Sequence, residues 1–185
     1  MIMMIRASLF PRIVRRLAGD KRGVSAVEFA LLLPLMLTLY LGGVEVSQAI
    51  SASRKVTLVS RTVADLVSQV ATVNNSSMND ILKASSAIAS PFSTNDLRVT
   101  VSCINIDANG KATIGWSDTL NGTAHGVGSA VTLPAALNVA NTSLIWTEAQ
   151  YNYTPTIGYV VTGTLSLKDQ MYMRPRVSTT VARTT

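Results

Sequence analysis

From Val24 to Val44 the chain runs twenty-one residues with one formal charge, Glu28, and a second acid, Glu45, closes the stretch. Crossing the hydrocarbon core of a bilayer takes about 20 apolar residues in a helix. This run therefore dictates a membrane-length helix with the rest of the chain following it. Counted only from Phe29 to Val44 it has sixteen residues, short for a span. The full length requires Glu28 to be neutralised, paired or near the interface, because an ionised side chain in hydrocarbon costs about 2.5–3.5 kcal/mol or more.

The net charge of +6 divides unevenly around this run. Before Val24, Arg6, Arg12, Arg15, Arg16, Lys21 and Arg22 face only Asp20, a net +5; ten basic and nine acidic residues follow, a net +1. Positive charge beside an apolar span keeps that flank cytoplasmic and sends the remainder across. The same division removes the basis for a nucleic-acid partner, which calls for a basic patch on the folded domain.

Three readings of the segment stand open. A cleaved secretory signal places a small-residue site at the end of the apolar run, near Gly42-Gly43, but leaves the acid at its start unexplained. A plain signal anchor explains the length but not Gly23 and Glu28 together. The third reading uses both: cutting after Gly23 creates an α-amino group on Val24, the positive charge that Glu28 lacks.

The stretch Lys21-Arg22-Gly23-Val24-Ser25-Ala26-Val27-Glu28-Phe29-Ala30-Leu31-Leu32-Leu33-Pro34 resembles the processing site of type IV prepilins. With Glu45 beyond it, the wording is similar to the TadE-like family of minor pilins (pseudopilins) of tight-adherence pilus systems; the likeness spans about residues 21–48. Glu148-Ala149-Gln150-Tyr151-Asn152-Tyr153-Thr154-Pro155 and Met173-Arg174-Pro175-Arg176 echo the same family. The resemblance implies cleavage between Gly23 and Val24 by a prepilin peptidase of the inner membrane, often with N-methylation. It makes Glu28 the acid that faces a neighbouring subunit's N-terminus during assembly. It further implies, as partners, the inner membrane, that peptidase, other pilins or pseudopilins and the assembly platform, with a role in pilus assembly and surface adhesion. The alternative is an unprocessed, membrane-anchored periplasmic scaffold or adhesin subunit of the same apparatus.

The expected organisation is a basic leader 1–23, a transmembrane helix 24–44, an amphipathic extension 45–73 and an exported domain 74–185. Pro34 removes one helical hydrogen bond and is expected to bend the first helix, and Gly42-Gly43 is a second weak point. Either the helix changes shape between membrane and filament, or these residues are there because Pro and Gly are common in membrane helices. Past Glu45, Val56, Val59, Val63, Leu66, Val70 and Val73 recur at spacings of three and four, with Ala49 and Ala52 before them. That is an apolar seam on a helix; it covers the domain's own sheet or a partner helix. Asn74-Asn75-Ser76-Ser77 breaks the pattern, Ser77 is the expected N-cap of a helix from Met78 to Ala89, and Ser90-Pro91 closes it.

Leu97 to Ile106 alternates as a strand, Asp107-Ala108-Asn109-Gly110 is a turn, and Lys111 to Trp116 reads as the returning strand. A Gly-rich loop, Asn121 to Gly128, holds the only histidine, His125; a helical turn at Ala135 to Val139 follows it. Thr142 to Tyr153 and an extended region from Tyr159 to Met173 complete the set. Helices first and strands after predict an α+β fold, a mainly antiparallel sheet against the N-terminal helix, compatible with a pilin-like or ferredoxin-like sandwich. Tyr151 and Tyr153 share a strand face, turned to the helix or to a partner; Arg174 and Arg176 are expected as solvated charges; Cys103 is expected as a buried strand residue.

Nothing in the chain spells out a reaction. His125 has no nucleophile or base at a telling spacing, a lone His and a lone Cys do not make a zinc site, and Gly122, Gly126 and Gly128 lack the lysine and strand–helix context of a phosphate loop. The expectation is no enzyme, no metal, no cofactor and no small-molecule substrate: a protein that is itself processed.

Overall fold

The computed structural model describes residues 22–155, 157–158 and 162–185. Most of the expected leader, and 159–161 of the last expected extended region, lie outside them. The chain divides into two compact units, Met1–Val44 and Glu45–Thr185.

In the first unit the helix α1 (Arg22–Ser68) presents apolar side chains with no core of their own to enter. Val27, Phe29, Leu31, Leu35 and Leu39 are each more than half exposed. Water penalises such a surface and hydrocarbon does not, while a helix satisfies its backbone groups internally. Pro34 lies inside the helix, and the Thr38 hydroxyl donates to the Pro34 carbonyl at 2.8 Å.

In the second unit α1 turns a seam inward: Ala52, Val56, Val59, Val63 and Val67 are at most 3% exposed. The seam uses Val67 where the strict three–four spacing expects Leu66, because a 3.6-residue helix drifts against a seven-residue repeat. The extension expected to reach residue 73 ends at Ser68. There the Arg176 N–H donates to the Ser68 carbonyl at 2.8 Å, and the Ala182 N–H donates to Ala71 at 3.0 Å. With those carbonyls taken, Thr72–Val73 (β1) runs extended and pairs in parallel with the last strand, Ala182–Arg183 (β6). Val73 is buried, but as a strand residue.

The second helix, α2 (Asn75–Ala89), starts earlier than expected. Its N-cap is Asn74, whose side chain accepts the Ser77 N–H at 2.8 Å; Ser77 is thus the capped residue and not the cap.

Four strands follow: β2 (Leu97–Ile106), β3 (Ala112–Leu120), β4 (Thr142–Tyr153) and β5 (Leu165–Met173), in the order β3-β2-β4-β5 with antiparallel neighbours. The turn between β2 and β3 is held by Asp107, whose carboxylate accepts the Asn109 and Lys111 N–H groups, and by Gly110 at φ +79. Strand β3 runs four residues past the expected Trp116. A bulge at Gly115 lets Trp116 oppose Cys103 while Ile114 opposes Ile104.

Alternation along the strands makes a three-layer domain. Leu97, Val99, Val101, Cys103, Ala149, Tyr151 and Tyr153 face the seam of α1 together with Met78 and Leu82 of α2. Ile104, Ile106, Ile114 and Leu144 form a second cluster on the opposite face. Strands β3 and β4 flank β2 and run parallel to each other, so their connection must cross the sheet. Residues 121–141 do so, packing Val131, Leu133 and Leu137 on that second cluster. The fold is α+β, as expected. Among the described residues no helix connects two strands of the four-stranded sheet, which sets aside the ferredoxin-like split βαβ arrangement.

Candidate functional site

The first candidate region lies on the apolar helix. Gly23, Val24 and Glu28 are exposed on α1, and a Cβ added at Gly23 would meet nothing within 4 Å. Packing does not demand glycine there, although glycine costs a helix about 1 kcal/mol relative to alanine. Val24 and Glu28 are four residues apart and therefore lie on the same side, one turn from each other. No described side chain pairs with Glu28. Pro34 stands six residues on, about 9 Å along the axis.

Glu45, the second acid of the motif, is 1% exposed and opens the second unit. Nearby, the Tyr153 hydroxyl donates to Gln48 Oε1 at 3.3 Å. Burial, and then the Glu45 carboxylate, push the Tyr153 phenol above its ordinary value. Tyr151 is raised as well, by burial first and by Asp96 second. Both rings meet Phe92, at centroid distances of 5.9 and 6.3 Å. Of the two orientations left open for these tyrosines, the structure takes the inward one.

The second candidate region is the outer face of the sheet, where strand register aligns side chains in rows. Arg98, Gln150 and Lys168 are cross-strand neighbours; so are Thr100, Glu148 and Gln170, and then Ser102, Trp146 and Tyr172. The loop brings His125 over the middle row, with Nε2 2.5 Å from Glu148 Oε2. The His125 ring stacks on Trp146 at 4.8 Å, and Trp146 stacks on Tyr172 at 5.9 Å. Trp146 Nε1 donates to Gln170 Oε1 at 3.3 Å. Burial, then Glu148, raise the Tyr172 phenol.

His125 is a loop residue, as expected, but a held one. Asn121, at φ +53, opens that loop and donates from its amide to the Thr94 and Leu97 carbonyls. Arg176 is not simply solvated: it pairs with Asp65. Cys103 is buried in β2, and burial pushes its thiol up. Among the described residues no three His, Cys, Asp or Glu side chains gather in one place.

The helix is apolar enough over an 18-residue window, with a mean hydropathy of 2.0, to cross a membrane, and it leads into a sandwich of helix, sheet and loop. Together they define an α+β protein whose first described helix is long and apolar enough to cross a membrane. The family model for TadE-like protein matches residues 23–65 of this helix, beginning at Gly23 and taking in Glu28, Pro34 and Glu45. The match covers well under half of the chain and agrees with the resemblance carried by residues 21–48. No curated protein and no solved structure matches the chain.

Proposed function

We propose that this chain is a minor pilin or pseudopilin of a tight-adherence pilus, made as a precursor and cut between Gly23 and Val24. The leader 1–23 stays cytoplasmic, 24–44 holds the protein in the inner membrane, and the α+β domain waits in the periplasm. Assembly then lifts the helix into a filament or its initiating complex, where the domain serves pilus assembly and surface adhesion.

One observation carries this reading: a glycine that packing does not require and a carboxylate that no described side chain pairs, five residues apart on an exposed helix of spanning length. A bilayer and a bundle of apolar helices are both dry, so moving the helix between them costs little if Glu28 finds a cation. The new Val24 α-amino group of a neighbouring subunit supplies it. A carboxylate buried in the bundle without that partner is destabilising by about 3–5 kcal/mol. Glycine has a second use, since a peptidase must unwind the turn it cuts and glycine loosens that turn.

The test is the N-terminus and intact mass of the protein from its native membrane, with and without the host's prepilin peptidase. The expected chain begins at Val24 only when the peptidase is present. A chain that begins before Gly23 in both strains makes the protein a fixed anchor and ends the filament mechanism. Glu28→Ala is expected to insert normally into the membrane but to enter filaments poorly; normal incorporation of that variant removes the pairing.

A further inference from the structure

The rows on the outer face of the sheet form an open concavity of about 750 Å³ that the anchor does not involve. Its floor is Arg98, Gln150 and Lys168 in one row, with Glu148 and Gln170 in the next. A second concavity of about 610 Å³, lined by Trp146, Tyr172 and Leu133, shares His125 and Gln170 with the first. The two are halves of one groove, one polar and one aromatic.

The polar half has unspent bonding capacity. Arg98 and Lys168 are exposed and, among the described residues, neither makes an ion pair or hydrogen bond. Both acids near them are engaged: Glu148 by His125, and Asp169 by Ser60 beneath the sheet. Gln150 donates from Nε2 to Asn152 and Ser166, which leaves its Oε1 to accept. Gln170 accepts from Trp146 at Oε1, which leaves its Nε2 to donate. The backbones of Arg98 and Lys168 stand two strand spacings apart, about 10 Å. A ligand that carries acids at intervals can engage both. Between them it meets the free acceptor of Gln150 and, in the next row, the free donor of Gln170, which suit a chain of hydroxyls. Two rows on, past Glu148 and Gln170, lies Tyr172 stacked on Trp146, an apolar surface for the C–H face of a sugar ring.

We propose that this groove binds an acidic polysaccharide, with carboxylates at Arg98 and Lys168, ring hydroxyls at Gln150 and Gln170, and a sugar face against the Trp146–Tyr172 edge. This deepens the adhesion part of the proposed function and rests on the domain lying outside the inner membrane. It does not depend on cleavage at Gly23, so the N-terminal mapping and the binding test fail separately.

The experiment is calorimetric titration of the full chain in lipid nanodiscs with three probes: oligogalacturonate, maltohexaose as the neutral sugar, and polyglutamate as the acidic peptide. Oligogalacturonate is expected to bind best and to weaken as salt screens the cations. Arg98→Gln with Lys168→Gln is expected to reduce its affinity about tenfold, three- to fivefold for each exposed charge. The pair Arg54→Gln with Arg61→Gln, exposed on the helix and outside the groove, leaves the affinity unchanged. Trp146→Ala weakens binding without altering its salt dependence, and a melting curve confirms that each variant is folded. Equal binding of polyglutamate, equal loss in the helix variant, or no binding of oligogalacturonate by the folded protein overturns the proposal.

Discussion

Replacing Thr147 with valine should make the α+β domain more stable by about 1–2 kcal/mol. Thr147 sits on the core face of β4, between Val101 of β2 and Met171 of β5, and is fully buried. Its hydroxyl has no hydrogen-bond partner among the described residues. An unpaired buried hydroxyl costs about 1–3 kcal/mol in proteins. Valine keeps the β-branch and nearly the same volume, so neither rotamer nor packing opposes the gain. For a unit of this size 1 kcal/mol moves Tm by roughly 3–4 °C, giving an expected rise of about 3–8 °C. Urea unfolding of the full chain in nanodiscs, followed by tryptophan fluorescence, isolates the domain, because both tryptophans lie in its sheet. The midpoint should rise with an unchanged slope. Thr147→Ser, which keeps the hydroxyl and drops the methyl, should lower the midpoint. A valine variant no more stable than the parent would refute the argument, since the hydroxyl would then have a partner in solution.

Two further outcomes follow from the closure of the domain and from its tyrosines. Arg183 grips both Asp118 oxygens, at 2.8 and 3.2 Å, and Asn75 Oδ1 at 2.6 Å, so Arg183→Met should cost about 2 kcal/mol. Arg183→Lys should recover only part of it, because an ammonium cannot match the fork; full recovery would show that charge alone matters. Burial raises Tyr151 and Tyr153, so the folded state holds their protons more tightly than the unfolded chain does. Their contribution is complete below the ordinary tyrosine value of about 10 and is lost as pH climbs through the raised values. Tyrosinate absorbance and circular dichroism should therefore change together above that pH. Ionisation of both rings while the fold is intact would contradict their burial.

What the sequence displays and what it conceals follow from range. The seam from Ala52 to Val63 is legible because a helix writes its packing at spacings of three and four, and the α+β order is legible from the change of period at Leu97. The end of α1 is not, because β1 exists only through β6, more than a hundred residues later. Asp65–Arg176 and Trp146 over Gln170 are hidden for the same reason: each side chain is ordinary in its own window, and register alone joins them. For the outer groove a partial signal was present. Alternation along β4 already puts Trp146, Glu148 and Gln150 on one face, but nothing local says that Arg98 and Lys168 flank them.

The β1–β6 pair has a consequence for when the domain becomes a domain. Val73 gains its partner, and Asn75 and Asp118 gain their cation, only from residues 181–184. Trp116 likewise gives its indole N–H to Val181 at 2.7 Å. The β1–β6 pairing spans more than a hundred residues, and loop closure over that span comes late in folding. Until then α2 and the four-stranded sheet can cover the seam of α1, but Val73 and the β1 edge stay open. The β6 strand thus acts as a latch: helix and sheet can meet before it, and residues 181–184 are the ones that lock β1 in place.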